Sequence, residues 1–199
     1  QNLQQTGMGT TADVNQPLSQ EEEQEGMFVG VILAETEDVW NRVFKQGAQA
    51  YREPRLVLFS SQVASACGYT GASTVPFYCP GDERIYIDLS FFKEMQAKLG
   101  AHGDFALAYV IAHEVGHHVQ NLLGTMEKMQ TMQRGLSKEE ANRLLVRLEL
   151  QADFLAGVWA HHAQRTKNIL EEGDIEEGLN AAAAVGDDRI MKRTQGYVV

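Results

Sequence analysis

With 199 residues, 44% of them hydrophobic and 22% charged, the chain has the composition of a globular domain and the length to bury a core without staples. No run approaches the 18 apolar residues of a membrane span, so these residues hold no transmembrane helix. Lys plus Arg is 17 against 27 Asp plus Glu, and the resulting charge of −10, with no basic stripe, excludes a nucleic-acid binder and a protein held on anionic lipid, but not a metal protein.

Residues 1–26 are rich in Gln, Thr, Gly, Asn and Glu, with an acidic run at Glu21, Glu22, Glu23 and Glu25. They read as a flexible acidic linker ahead of one domain over 27–199. From Met27, the residues Phe28, Ile32, Val39, Trp40, Val43 and Phe44 form an interrupted helical stripe to about residue 48. Arg55–Ser60 reads as a strand. A turn-rich stretch over 61–83 carries Cys67 and Cys79. Their spacing leaves a single disulfide and a pair of buried thiols equally open. Arg84–Leu89 alternates, with Ile85, Ile87 and Leu89 on one face, and reads as a second strand.

A short helix follows over Phe91–Leu99. Asp104 then serves as the expected N-cap of a long apolar helix to about Leu123, stopped by Gly124. Residues 125–136 are ambiguous. Ser137 and Glu140 make a capping box for a helix over about 138–165, and Asp174 and Glu177 repeat that signature before an Ala-rich helix ending near Gly186. The fold class is α+β, a small sheet followed by helices.

The chemistry lies in Tyr109–Gln120, which contains His113-Glu114-Val115-Gly116-His117, the pattern H-E-x-x-H. Helical residues four apart differ by about 40° in angle and one turn in height. His113 and His117 therefore offer two imidazoles to one metal ion. Glu114 is turned about 100° away from His113, placed for a water rather than for the metal. Chance puts this pattern somewhere in such a chain on the order of 1–2% of the time, so it outweighs the plain reading of two surface histidines beside a glutamate. Gly116 costs roughly 1 kcal/mol relative to Ala inside a helix, which implies a close approach there.

Zinc needs a third protein ligand. Glu149-Leu150-Gln151-Ala152-Asp153 on the next long helix supplies Glu149, with Asp153 one turn further to accept a ring N–H from a ligating His. Ala152 and Ala156 are small enough for the two helices to approach. Alone, this segment is an ordinary charged face; after H-E-x-x-H it completes a ligand set.

HEVGHH followed by ELQAD resembles the zincins whose third ligand is glutamate. More closely, the chain resembles the bacterial putative neutral zinc metallopeptidase family. The matching stretches include VILAETEDVW, YREPRLVLFS, ACGYTGASTVPFYCPGDERIYIDLSFF, GDFALAYVIAHEVGHHVQNLLG, RLELQADFLAGVWAHH and QGYVV, together spanning residues 27–199. The resemblance implies a zincin-like peptidase domain, Zn²⁺ as cofactor and a peptide or protein as substrate. It also implies a membrane-spanning segment ahead of the catalytic domain, hence a tethered, extracytoplasmic enzyme. That compartment favours the Cys67–Cys79 disulfide. Phe154 stands where the family usually has Cys, and the family continues past the QGYVV segment.

The reaction implied is peptide-bond hydrolysis, with metal on His113, His117 and Glu149 and Glu114 as general base. Internal bonds are the expected targets and a monomer the expected state. Candidate contacts for the transition state or substrate are Tyr109, one turn before His113; His118, four residues after Glu114; and Tyr86 on the strand Arg84–Leu89, read as the sheet edge that takes an extended peptide. The plain alternatives are packing for Tyr109, a satisfied core or interface histidine for His118, and a solvent-facing residue for Tyr86. His161, His162 and Trp159 read as structural. Peptide deformylase shares H-E-x-x-H but needs a Cys ligand in a loop this chain lacks. A ferritin-like di-iron site needs a second Glu-x-x-His. A metal-stabilised binding module on the same fold is the non-enzymatic alternative, and Glu114 weighs against it.

Overall fold

The computed structural model describes residues 19–60, 62–70, 75–91, 93, 95 and 104–195. Helix α1 (Gln20–Gln46) leads into strands β1 (Arg55–Phe59), β2 (Val63–Ser65), β3 (Gly68–Thr70), β4 (Phe77–Cys79) and β5 (Arg84–Asp88). Helices α2 (Asp104–Leu122), α3 (Thr125–Gln133), α4 (Lys138–Lys167) and α5 (Asp174–Gln195) follow. The class is α+β, as the pattern of elements implied. Of the short helix expected over 91–99, Phe91, Lys93 and Met95 are helical, and the others lie outside the described residues.

The acidic run belongs to α1. Ser19 and Glu22 form a capping box: the Ser19 hydroxyl accepts from the Glu22 N–H at 3.2 Å, and the Glu22 carboxylate accepts from the Ser19 N–H at 2.8 Å. Four residues on, Gly26 lies against β1, where a Cβ would come within 3.2 Å of Leu58 Cδ1. The boundary expected at residue 26 therefore falls inside a helix packed on the sheet; residues 1–18 lie outside the described residues.

Asp104 is the first helical residue of α2 rather than a cap before it. Gly124 ends the α2 segment in the left-handed region at φ 72°. The Ser137–Glu140 capping box forms as read and opens α4. Asp174 does not make one: it is inside α5, and its carboxylate accepts from the Glu171 N–H at 2.8 Å. Nor does α5 stop near Gly186; it runs to Gln195.

The main sheet has the order β1-β5-β4, with β1 parallel and β4 antiparallel to β5. This overturns the reading of Arg84–Leu89 as the edge. β5 is the central strand, hydrogen-bonded on both sides, and its two faces are both covered. Ile85 and Ile87 face the core shared with Val29 and Leu33 of α1 and Leu107, Ile111 and Val115 of α2. Tyr86 packs with Phe59 and Cys79 on the other face, stacked on Phe77 at 4.9 Å between ring centroids. Val63 of the β2–β3 hairpin packs against that second cluster, and the Cys67–Cys79 disulfide ties the hairpin turn to β4. A third cluster of Val39, Ala108, Ala112, Ala156 and Trp159 joins α1, α2 and α4. Its small side chains set how closely α4 approaches α2.

Candidate metal centre

The site is built where α2 crosses α4. Gly116 makes the crossing possible: a Cβ there would stand 2.9 Å from the Ala152 carbonyl oxygen and 3.2 Å from its Cα. The close approach inferred from the glycine is thus a contact between backbones, and both Ala152 and Ala156 are fully buried beside it.

Across that crossing, His113, His117 and Glu149 converge, all three buried. The two Nε2 atoms are 3.1 Å apart, and each is 3.3 Å from Glu149 Oε2. The opposite ring nitrogens are committed as donors. His113 Nδ1 donates to Asp153 Oδ1 at 2.7 Å, and His117 Nδ1 donates to Gln120 Oε1 at 2.9 Å. That fixes both tautomers and leaves a lone pair on each Nε2. Two imidazole lone pairs and a carboxylate oxygen therefore face one another in a buried space, an arrangement that repels unless a cation sits among them.

The donor set fits zinc. Three atoms each 2.0–2.1 Å from one tetrahedral ion stand about 3.3–3.4 Å apart. The observed triangle, 3.1, 3.3 and 3.3 Å, is close to that size. Two neutral imidazoles and one carboxylate are the ligand chemistry of an open zinc site, which keeps one position for water. The adjoining pocket, lined by Tyr109, Val110, His113, Glu149, Asp153, Ala182 and Val185, has about 30 Å³, room for a water.

Asp153 takes two donors on one oxygen, His113 Nδ1 and the Tyr109 hydroxyl, the latter at 2.6 Å. Burial pushes its carboxyl up, but the bonds from His113 and Tyr109 outweigh burial and hold it below the ordinary aspartate range. It stays a carboxylate and orients His113. The hydroxyl of Tyr109, a candidate donor to an oxyanion, donates to Asp153. Tyr109 supports the residue that supports the ligand.

Gln120 plays the matching part for His117 and went unread in the sequence. Its amide nitrogen donates to the Leu148 carbonyl at 2.7 Å and to Gln151 Oε1 at 3.0 Å. One buried side chain thus ties His117 to the turn of α4 that carries Glu149. The only signal was its place three residues after His117 on the same helix.

Glu114 is buried at 1% exposure, between the two candidate histidine ligands in sequence. His118 is not brought to the site. Its Nε2 donates to the Arg52 carbonyl at 2.5 Å, and its Nδ1 accepts from the Tyr78 hydroxyl at 3.0 Å, which in turn accepts from Asn121 at 2.9 Å. Burial pushes its pKa down, so it is a neutral core residue joining α2 to β4. Tyr86 is likewise internal, its hydroxyl donating to Asp82 at 2.6 Å. His161 and His162 pack on each other along α4 at 5.7 Å, and Trp159 is buried against Phe105. Among the described residues, His113, His117 and Glu149 are the one group that could hold a metal ion.

A match to the family described as "Putative neutral zinc metallopeptidase" spans residues 1–199. The chain is 49% identical over 199 residues to the Escherichia coli (strain K12) protein named "Uncharacterized protein YpfJ", covering 98% of this chain and 69% of that one. It is 41% identical over 179 residues to "Uncharacterized protein Rv2575" of Mycobacterium tuberculosis (strain ATCC 25618 / H37Rv), covering 85% of this chain and 59% of that one. No solved structure matches. The chain belongs to the putative neutral zinc metallopeptidase family.

Proposed function

We propose that the chain is a zinc-dependent peptidase that cleaves internal peptide bonds. The observation that carries this reading is the convergence of three lone-pair donors at 3.1–3.3 Å, with both opposite ring nitrogens already held by oxygen acceptors. His113, His117 and Glu149 would hold Zn²⁺. When bound, zinc supplies the Lewis acidity that makes a water nucleophilic near pH 7 and polarises a scissile carbonyl.

The chain's own residues do the rest. Asp153 and Gln120 fix the ring planes of the two histidines. Glu114, buried beside them, takes the proton of the attacking water and delivers it to the leaving amine. Val110, Ala182 and Val185 wall the pocket with apolar surface, which strengthens every charge interaction inside it. We further infer an extracytoplasmic location, tethered to the membrane. The Cys67–Cys79 disulfide supports the oxidising compartment.

The test is zinc content and casein hydrolysis on one preparation, before and after 1,10-phenanthroline. The reading expects one zinc per chain, activity lost with the metal and restored by added Zn²⁺. A chain that binds one zinc and cleaves nothing would instead be a metal-stabilised binding module.

A further inference from the structure

One cavity of this chain lies away from the candidate metal centre. It has about 490 Å³ and lies between α1, the first two turns of α2, the C-terminal part of α4 and the start of α5. Its apolar wall includes Phe28, Ile32, Phe105 and Trp159, the last two stacked at 6.3 Å with 16° between their planes. Val31, 59% exposed, extends this surface outward.

The polar lining is of one sign. Glu35, Asp104, Glu171, Glu172, Asp174 and Glu177 border the cavity, and among the described residues no Lys, Arg or His lines it. Lys167 engages Glu35 from outside the lining, at 2.7 Å. Among the described residues, these carboxylates form no cluster that could hold a metal ion.

An apolar wall bordered by carboxylates matches a partner that is basic and apolar. We propose that this cavity binds a peptide segment in which Lys or Arg alternates with aliphatic or aromatic residues. The cations meet the carboxylates of the lining, and the side chains between them meet the apolar wall of Phe28, Val31, Ile32 and Phe105.

The position gives that segment a use, which rests on the peptidase reading. Phe105 of the cavity and His113 of the metal centre are eight residues apart on α2, about 12 Å along the helix. An extended peptide covers that span with about four residues. The cavity is then an exosite that selects substrates carrying a basic, apolar stretch about four residues from the cleaved bond.

The test uses the whole chain and a fluorescein-labelled octapeptide alternating Lys with Leu and Phe, beside a control with Glu for each Lys, read by fluorescence polarisation. The proposal expects the basic probe to bind and the acidic one not to. It expects Glu171→Lys with Glu172→Lys, at exposed positions, to weaken binding about tenfold or more. Acetohydroxamate, a zinc-directed competitor, should not displace the probe. Equal binding of the acidic probe, indifference to the double charge reversal, or displacement by acetohydroxamate would each overturn the proposal. Cleavage is read separately: the charge reversal should raise KM for a basic substrate and leave kcat and hydrolysis of a neutral peptide unchanged. Probe binding without any cleavage by the unaltered chain would overturn the peptidase reading and leave the binding site standing.

Discussion

Gly116 and Ala152 touch backbone to backbone, and that contact sets the distance between the helix carrying two of the candidate ligands and the helix carrying the third. Gly116→Ala should gain about 1 kcal/mol of helix propensity. Against this, the added Cβ meets backbone atoms at 2.9 and 3.2 Å, which cannot rotate away. Overpacking of this kind costs about 1–3 kcal/mol. The expected net result is a loss of up to roughly 2 kcal/mol by urea denaturation, together with weaker zinc binding as α4 is pushed outward. A more stable variant with unchanged zinc affinity would contradict the contact.

Asp153 and Gln120 hold the two histidines from opposite sides. Asp153→Ala and Gln120→Ala should each lower zinc affinity by about 10–100-fold, measured by competition with a chromophoric chelator. Asp153→Asn should lose less, because an amide oxygen still accepts from His113. Gln120→Ala should also destabilise the fold by about 1–3 kcal/mol, since the buried His117 Nδ1–H loses its acceptor. Tyr109→Phe should fall between wild type and Asp153→Ala.

Zinc should stabilise the fold by mass action. At free zinc 100 times its dissociation constant the gain is about 2.7 kcal/mol, seen as a rise in Tm that chelation reverses. In a chain with both His113→Ala and His117→Ala, the rise should vanish. A zinc-dependent Tm that survives the double substitution would place the ion elsewhere.

Two buried tyrosines predict an alkaline limit. Burial pushes the Tyr78 phenol up to about 12, and burial pushes Tyr51 up further. In the folded chain both stay protonated where the unfolded chain ionises near pH 10. Their stabilising effect is therefore complete below about pH 10 and is lost as pH rises toward 12. The urea midpoint should fall over that interval, and less steeply in Tyr51→Phe. At neutral pH, Tyr51→Phe should be neutral or stabilising by up to about 1 kcal/mol, because the buried Tyr51 hydroxyl has no partner among the described residues.

The metal centre was legible because its geometry is local. An i, i+4 spacing on a helix determines which side chains share a face, so His113, Glu114 and His117 declare themselves without a fold. Gly116 declared the crossing for the same reason. Sheet order was not legible. Alternation in Arg84–Leu89 identified one buried face correctly, but nothing in the strand says that β4 and the disulfide-tied hairpin cover the other, burying Tyr86 and Asp88. Gln120 and His118 were missed or misplaced because their partners come from distant parts of the chain: Leu148 for one, Tyr78 and Arg52 for the other. The acidic run at the start of α1 read as solvated tail, since five charged or polar residues outvoted one capping box and one glycine packed on Leu58.

The central claim, that this is a zinc site built for hydrolysis, is tested most directly by Glu114→Gln. Zinc per chain and peptide turnover are measured on the variant and on wild type, side by side. The account predicts one zinc per chain in both and turnover lowered by about 100–10,000-fold in the variant, since Glu114 moves a proton and binds no metal. Turnover equal to wild type in a zinc-loaded Glu114→Gln chain would contradict it.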